Sequence, residues 1–201
     1  MPTHRGTLRQ TWTAVRALLV FTVILGLAYP LVLTVVGQLA LPAQANGSLV
    51  SVHGKPVGSN LLGQSFTTRK GATLAQWFQS RPSAAGSGYD GGASSGSNYG
   101  PENATLIASI RARQVAIARS DGVAIDQIPA DAVTASGSGL DPDISPAYAL
   151  LQVKRVAAAR GLGQTAVREL VESKIQGRDF GYLGDPVVNV LELNIALTQM
   201  K

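Results

Sequence analysis

The chain has 201 residues, no cysteine, two histidines, and 17 Lys plus Arg against 12 Asp plus Glu. That composition excludes disulfides, thiolate metal sites and a cysteine nucleophile, and it leaves zinc without a ligand set. The basic balance does not mark a nucleic-acid binder. Arg5, Arg9 and Arg16 precede the first apolar run, and the remaining 14 basic groups against all 12 acidic ones leave only +2.

From Ala17 to Leu41 the sequence reads ALLVFTVILGLAYPLVLTVVGQLAL, 25 residues without Asp, Glu, Lys, Arg or His. As a helix it spans roughly 37 Å, enough to cross a hydrocarbon core of about 30 Å with some tilt. A cleaved signal peptide competes with this reading, since basic residues precede the run and Ala43-Gln44-Ala45 fits an A-x-A site. The run is longer than the roughly 7–15 residues of a signal h-region, which favours an uncleaved anchor. Pro30 predicts a kink in the transmembrane helix, and Gly26, Ala28 and Gly37 give small faces for partner helices. The positive-inside rule then predicts three regions. Residues 1–16 form a short basic cytoplasmic tail, 17–41 cross the membrane, and 42–201 form one mixed α/β extracytoplasmic domain.

Leu49 to Val52 and Lys55 to Gly58 predict a β-hairpin turning at His53-Gly54. Phe66, Trp77 and Phe78 supply aromatic bulk for a core. Residues 86–100 read GSGYDGGASSGSNYG, with 6 Gly and 4 Ser in 15 positions, too polar and small to order by packing alone. This stretch admits two readings, a mobile loop or a loop held on a partner surface. A helix capped near Asn103 follows, with Leu106, Ile110 and Ile117 on one face and an end at Asp121-Gly122. A second starts at Ser145 as N-cap with Pro146 in the first position, turns Leu150, Val153 and Ala157 inward, and closes at Gly161. A third runs from about Thr165 to Lys174. Near the end, period 2 would make a strand of Leu191 to Leu197. Asn189 as N-cap with Glu192 three residues on favours a short strand at Val187-Val188 followed by a helix.

Motifs for catalysis fail on context. Gly86 to Gly91 matches GxGxxG, but Gly92, Ser94 and Ser95 follow where a helix must open. Gly92 to Gly96 matches GxSxG without a strand-to-helix turn, and His53 is the single histidine beyond the apolar run. Asp141 to Ser145 alternates oxygens as a calcium loop does, yet Pro146 stands at position 6 and Gln152 at position 12. No catalytic residue and no metal site is predicted.

Several blocks, in order, resemble one family. They are Gly63 to Phe66, Phe78 through Arg81-Pro82-Ser83-Ala84, Tyr89-Asp90, Ser97 to Pro101, Val133 to Pro142 (VTASGSGLDP), Ile144-Ser145-Pro146, Gln152-Val153 with Arg155-Val156-Ala157, and Val188 to Asn194. With Ala28-Tyr29-Pro30 in the apolar run, they resemble the C subunit of the Kdp-type potassium-transporting ATPase. Asp143, Lys154, Ser95 and Asp90-Gly91-Gly92 depart from the family's usual residues. The resemblance implies a non-catalytic subunit of a bacterial inner-membrane complex that takes up potassium at the expense of ATP. Its implied partners are a potassium-translocating A subunit, a P-type ATPase B subunit and a small single-helix subunit, besides the lipid bilayer. It also implies a role in assembly and as a catalytic chaperone raising the ATP affinity of the B subunit. ATP is thus implied by resemblance alone, with no nucleotide-binding residue assigned. The topology sets the bulk of the chain away from cytoplasmic ATP, which favours a structural role acting through the conformation of the whole complex. Arg81, Ser83, Asn98, Gly100, Ser136, Ser138 and Asp141 are the expected partner contacts, because they contribute little to a core. The competing reading of these residues is that they make and cap turns. A secreted or membrane-anchored extracytoplasmic binding protein is the alternative for the chain as a whole.

Overall fold

The computed structural model describes residues 4–68 and 71–200, with the side chains of His4 and Arg5 outside the described set. The chain divides into two compact units, Met1–Ser48 and Leu49–Lys201.

In the first unit, α1 (His4–Phe21) passes into a π-helical stretch (Thr22–Ala28) and then α2 (Tyr29–Ala40). A short α3 (Pro42–Ala45) follows. The helix therefore begins well before the apolar run, inside the basic tail. From Gly6 to Ala40 it is long and apolar enough to cross a membrane, and its apolar window buries nothing within the protein. Pro30 disturbs the ladder as its chemistry requires, since it lacks an N–H and its ring crowds the preceding turn. The disturbance is a change of register rather than a simple break. Tyr29 N–H bonds Ile24 O, five residues back, and widens the helix just upstream of the proline. Thr34 Oγ1 donates to Pro30 O at 2.8 Å.

The second unit opens with the expected hairpin, β1 (Leu49–Val52) and β2 (Lys55–Ser59), antiparallel with a bulge between Val50 and Ser51. His53 and Gly54 turn it with φ of 50° and 75°, the pair of positive values that suits a tight hairpin. α4 (Ala104–Asp121) is capped by Asn103, whose side chain accepts from Thr105 N and Leu106 N, and Gly122 ends it in the left-handed region. α5 (Ala130–Val133) leads to β3 (Asp143–Ile144). Ser145 caps α6 (Pro146–Leu151) by accepting from Tyr148 N.

The second expected helix is two helices. α6 stops before Gln152, and α7 (Val153–Arg160) continues to Gly161. The break frees the fully buried Gln152 side chain to bond a neighbouring segment, a long-range demand that helical periodicity does not carry. α8 (Gln164–Ser173) and β4 (Ile175–Gln176) precede β5 (Val187–Asn189) and α9 (Val190–Thr198), so the strand-then-helix reading of the last segment holds. The three-stranded antiparallel sheet has the order β3-β5-β4. Its central Val188, the valines of α7 and α8, Leu193 and Leu197 of α9, and Phe78 form the core.

Candidate functional site

The segment Trp77-Phe78-Gln79 has no strand neighbour, yet Phe78 and Gln79 are buried. Two buried amides serve in place of one. Asn194 accepts from Phe78 N at 2.9 Å and donates to Phe78 O at 3.0 Å. Gln152 accepts from Gln79 N at 2.6 Å and donates to Gln79 O at 3.2 Å. Arg155, paired with Asp121 at 2.7 Å, adds donors to Ala75 O, Trp77 O and Gln152 Oε1. Arg160 lies over the Trp77 ring at 4.5 Å.

This clamp aims the following residues at the 136–141 loop. Arg81 pairs with Asp141 at 2.7 Å. Ser83 Oγ donates to Gly139 O at 2.6 Å and accepts from Ala85 N and Tyr89 N. Tyr89 donates its hydroxyl to Arg81 O at 2.7 Å. The Gly/Ser-rich stretch then lies on the same loop. Ser95 N and Ser94 Oγ both donate to Ser138 O at 2.9 Å, so part of the stretch is anchored on this chain's own backbone. Gly139 (φ 68°) is the crossing point, because a Cβ there would sit 2.6 Å from Ser95 O and 2.7 Å from Ala85 N. A mobile loop would lack these bonds, and the partner-surface reading looks outside the chain for what orders the stretch, whereas Ser94 and Ser95 are held by Ser138.

Of the seven expected contact residues, Arg81, Ser83, Ser138 and Asp141 are thus joined in one hydrogen-bonded crossing. Ser138 Oγ accepts from Leu140 N, and Asp141 Oδ1 accepts from Asp143 N. Ser136 is buried beside them in sequence, while Asn98 (φ 52°) and Gly100 are exposed. Pro30 belongs to the first unit. The Asp141–Ser145 stretch is a capping arrangement, with Asp131 accepting from both Ser145 N and Ser145 Oγ. No helix opens from the GxGxxG or GxSxG matches, and His53 sits exposed in its turn.

Beside the crossing lies a cleft of about 320 Å³, walled by residues 64–67 and 79–83, by Arg113, Ala116, Ile117 and Ser120 of α4, and by Tyr148 of α6. Burial pushes the Tyr89 hydroxyl up to about 12 and raises Tyr148 further still, so both stay protonated near neutrality. Burial also lowers Arg113 below the usual arginine range. Sequence reasoning missed Tyr148, Arg113, Gln152 and Asn194. Tyr148 had a signal in the Ser145-Pro146 helix start, which fixes the face it occupies; Gln152 and Asn194 stood inside blocks that carry the family resemblance but with no role assigned, and Arg113 carries no motif.

The family model for the c chain of the K+-transporting ATPase matches residues 11–199, across both units. The chain belongs to that family. A protein of Kineococcus radiotolerans called "Potassium-transporting ATPase KdpC subunit" is 53% identical over 190 residues, covering 94% of this chain and 93% of the relative. A relative of the same name from Caulobacter vibrioides is 55% identical over 179 residues, or 88% and 86% of the two chains. One from Methylococcus capsulatus is 49% identical over 189 residues, or 94% and 96%. The blocks that carried the resemblance in the sequence are largely those that build the crossing and its neighbouring caps.

Proposed function

We propose that this chain is a non-catalytic subunit of an ATP-driven potassium-uptake complex in a bacterial inner membrane. The match to the family across residues 11–199, helix and globular unit together, carries this reading. In it, the Gly6–Ala40 helix packs on helices of the potassium-translocating A subunit, the P-type ATPase B subunit and a small single-helix subunit. The basic tail stays in the cytoplasm by the charge rule, and the second unit docks outside, over the ion entrance of the A subunit. The exposed end of the Gly/Ser stretch, Asn98 and Gly100, is the surface offered for that contact.

The chemistry of the second unit supports an accessory role. Asp121 is committed to Arg155 and Asp141 to Arg81, and burial keeps the cleft tyrosines protonated. None of these groups is poised as a base. An effect on ATP affinity then comes from biasing a conformational equilibrium of the whole complex, because the bulk of the chain lies across the membrane from nucleotide. The test is to purify the tagged full chain in mild detergent from potassium-starved cells and identify what accompanies it by mass spectrometry. A P-type ATPase and a large polytopic potassium subunit, with the N-terminal helix retained, are expected. A lone protein beginning at Asn46 overturns the reading.

A further inference from the structure

We propose that the cleft between α4, α6 and the stretches 64–67 and 79–83 is a binding site for a small oxyanion, a carboxylate or a phosphate, held by Arg113 and the Tyr148 hydroxyl. The inference stands on the second unit alone and does not require the assembly reading. A volume of about 320 Å³ falls at the small end of ligand pockets, which run from roughly 300 to 1,000 Å³.

The sign of the ligand follows from the charges that line the cleft, which among the described residues are Arg81, Arg113 and Asp121. Asp121 is spent on Arg155, with both side chains at 6% exposure or less, and Arg81 pairs with Asp141 through one terminal nitrogen while its buried Nε has no partner among the described residues. Arg113 has no ion pair among the described residues, and its one hydrogen bond runs from a terminal nitrogen to Val133 O at 2.8 Å. It is a partly desolvated cation with donors to spare, and desolvation makes such a charge costly unless an anion meets it. A cation would find no free carboxylate here, and a neutral ligand would leave Arg113 unmatched.

The second observation is independent of charge. Tyr148 as a residue is 4% exposed, and its hydroxyl, which is not fully buried, has no hydrogen-bond partner among the described residues and is reached from the cleft. It is on the cleft wall, and because burial keeps it protonated it is a donor, the complement of an anionic oxygen. Most of the neighbouring hydroxyls are engaged already. Tyr89 donates to Arg81 O, Ser65 pairs with Thr67, and Ser120 pairs with Asp121. Among the described residues, the open side-chain donors of the cleft are those of Arg113 and Tyr148, the unpartnered Nε of Arg81 and the exposed Thr73 hydroxyl at the rim.

The test is isothermal titration of the detergent-solubilised full chain with inorganic phosphate and, separately, with acetate, in a zwitterionic buffer. Saturable one-to-one binding of one of the two is expected, and which one binds distinguishes a phosphate from a carboxylate ligand. Loss of the charge-assisted bonds in Arg113→Gln should weaken it about tenfold or more, and Tyr148→Phe should weaken it about threefold to tenfold. Tyr148→Phe removes one oxygen and keeps the ring in the core, so it carries the test if Arg113→Gln fails to show a cooperative thermal transition. The proposal is overturned if neither anion binds the folded wild-type chain saturably. Equal binding by wild type and a folded Tyr148→Phe overturns it as well.

Discussion

Asn194 and Gln152 each set a primary amide against the backbone of a chain segment far away in sequence, 116 and 73 residues respectively. At both places the amide supplies the donor and the acceptor that a neighbouring strand would have supplied, and both side chains are nearly inaccessible. Asn194→Leu fills similar space but strands the N–H and C=O of Phe78, each a buried polar group costing about 1–3 kcal/mol when unpaired. The variant should lose ~3 kcal/mol, read as a lowered urea midpoint with an unchanged slope. Asp143 is governed by a different effect. Burial, then the nearby Asp141 charge, raise its carboxyl above the reference 3.8, against a hydrogen bond with Asn189 that lowers it. The folded state therefore holds a proton longer than the unfolded chain, so Asp143 costs stability as pH rises from about 3.8 through the folded value and costs none below it. Asp143→Asn should raise the melting temperature at pH 7, by no more than about 4 °C for a domain this size, and the gain should vanish below pH ~4. An unchanged melting temperature at pH 7 would show that solvent screens the carboxylate at this half-buried position.

At the scale of elements, what sequence revealed and what it concealed divide along one physical line. Caps and turns use residues adjacent in the chain. Asn103, Ser145 and Asn189 announced their helices, and His53-Gly54 announced its hairpin. Interactions closing over long separations leave no local pattern. The helix break at Gln152 answers Gln79, and the order in the Gly/Ser stretch answers Ser138. The same line explains the candidate site. Arg81, Ser83, Ser138 and Asp141 were visible as polar residues in compact blocks, but their mutual bonds were not. Gly139 is where two such blocks touch. Alanine there must adopt a left-handed backbone, a cost of about 1–2 kcal/mol, and must also push aside the backbone of Ser95 or Ala85. Gly139→Ala should destabilise by more than ~2 kcal/mol and loosen the crossing first. Hydrogen exchange at the Ser95 amide, bonded to Ser138 O, should speed up while the α9 amides keep their protection. Equal acceleration at both would place the crossing inside the global folding unit instead.

At the scale of the whole chain, the two units answer to different solvents. Every residue of the described buried core belongs to the second unit, and Phe66 is the first residue packed against it. The first unit buries none of its apolar window and leaves Leu18, Phe21, Leu31 and Leu39 between 60% and 81% exposed. A helix apolar all round without a protein partner is at home in hydrocarbon, and this one carries polar groups at both ends. Arg16 lies 6.0 Å from the Trp12 ring near one end, and Gln38 exchanges hydrogen bonds with Asn46 at the other. The 23 residues from Arg16 to Gln38 rise about 33 Å end to end, close to the thickness of a hydrocarbon core. Removing residues 1–48 should therefore leave the apolar core of the second unit in place. The fragment 49–201 should stay monomeric without detergent and melt within about 2 °C of the globular transition of the full chain, since a loss smaller than 1 kcal/mol moves the midpoint little. It should also fail to bring down the other subunits under conditions where the full chain does. Should the fragment aggregate or lose its transition, the stability of the second unit would depend on the helix. Co-purification without the helix would instead move the main assembly contact onto the globular surface.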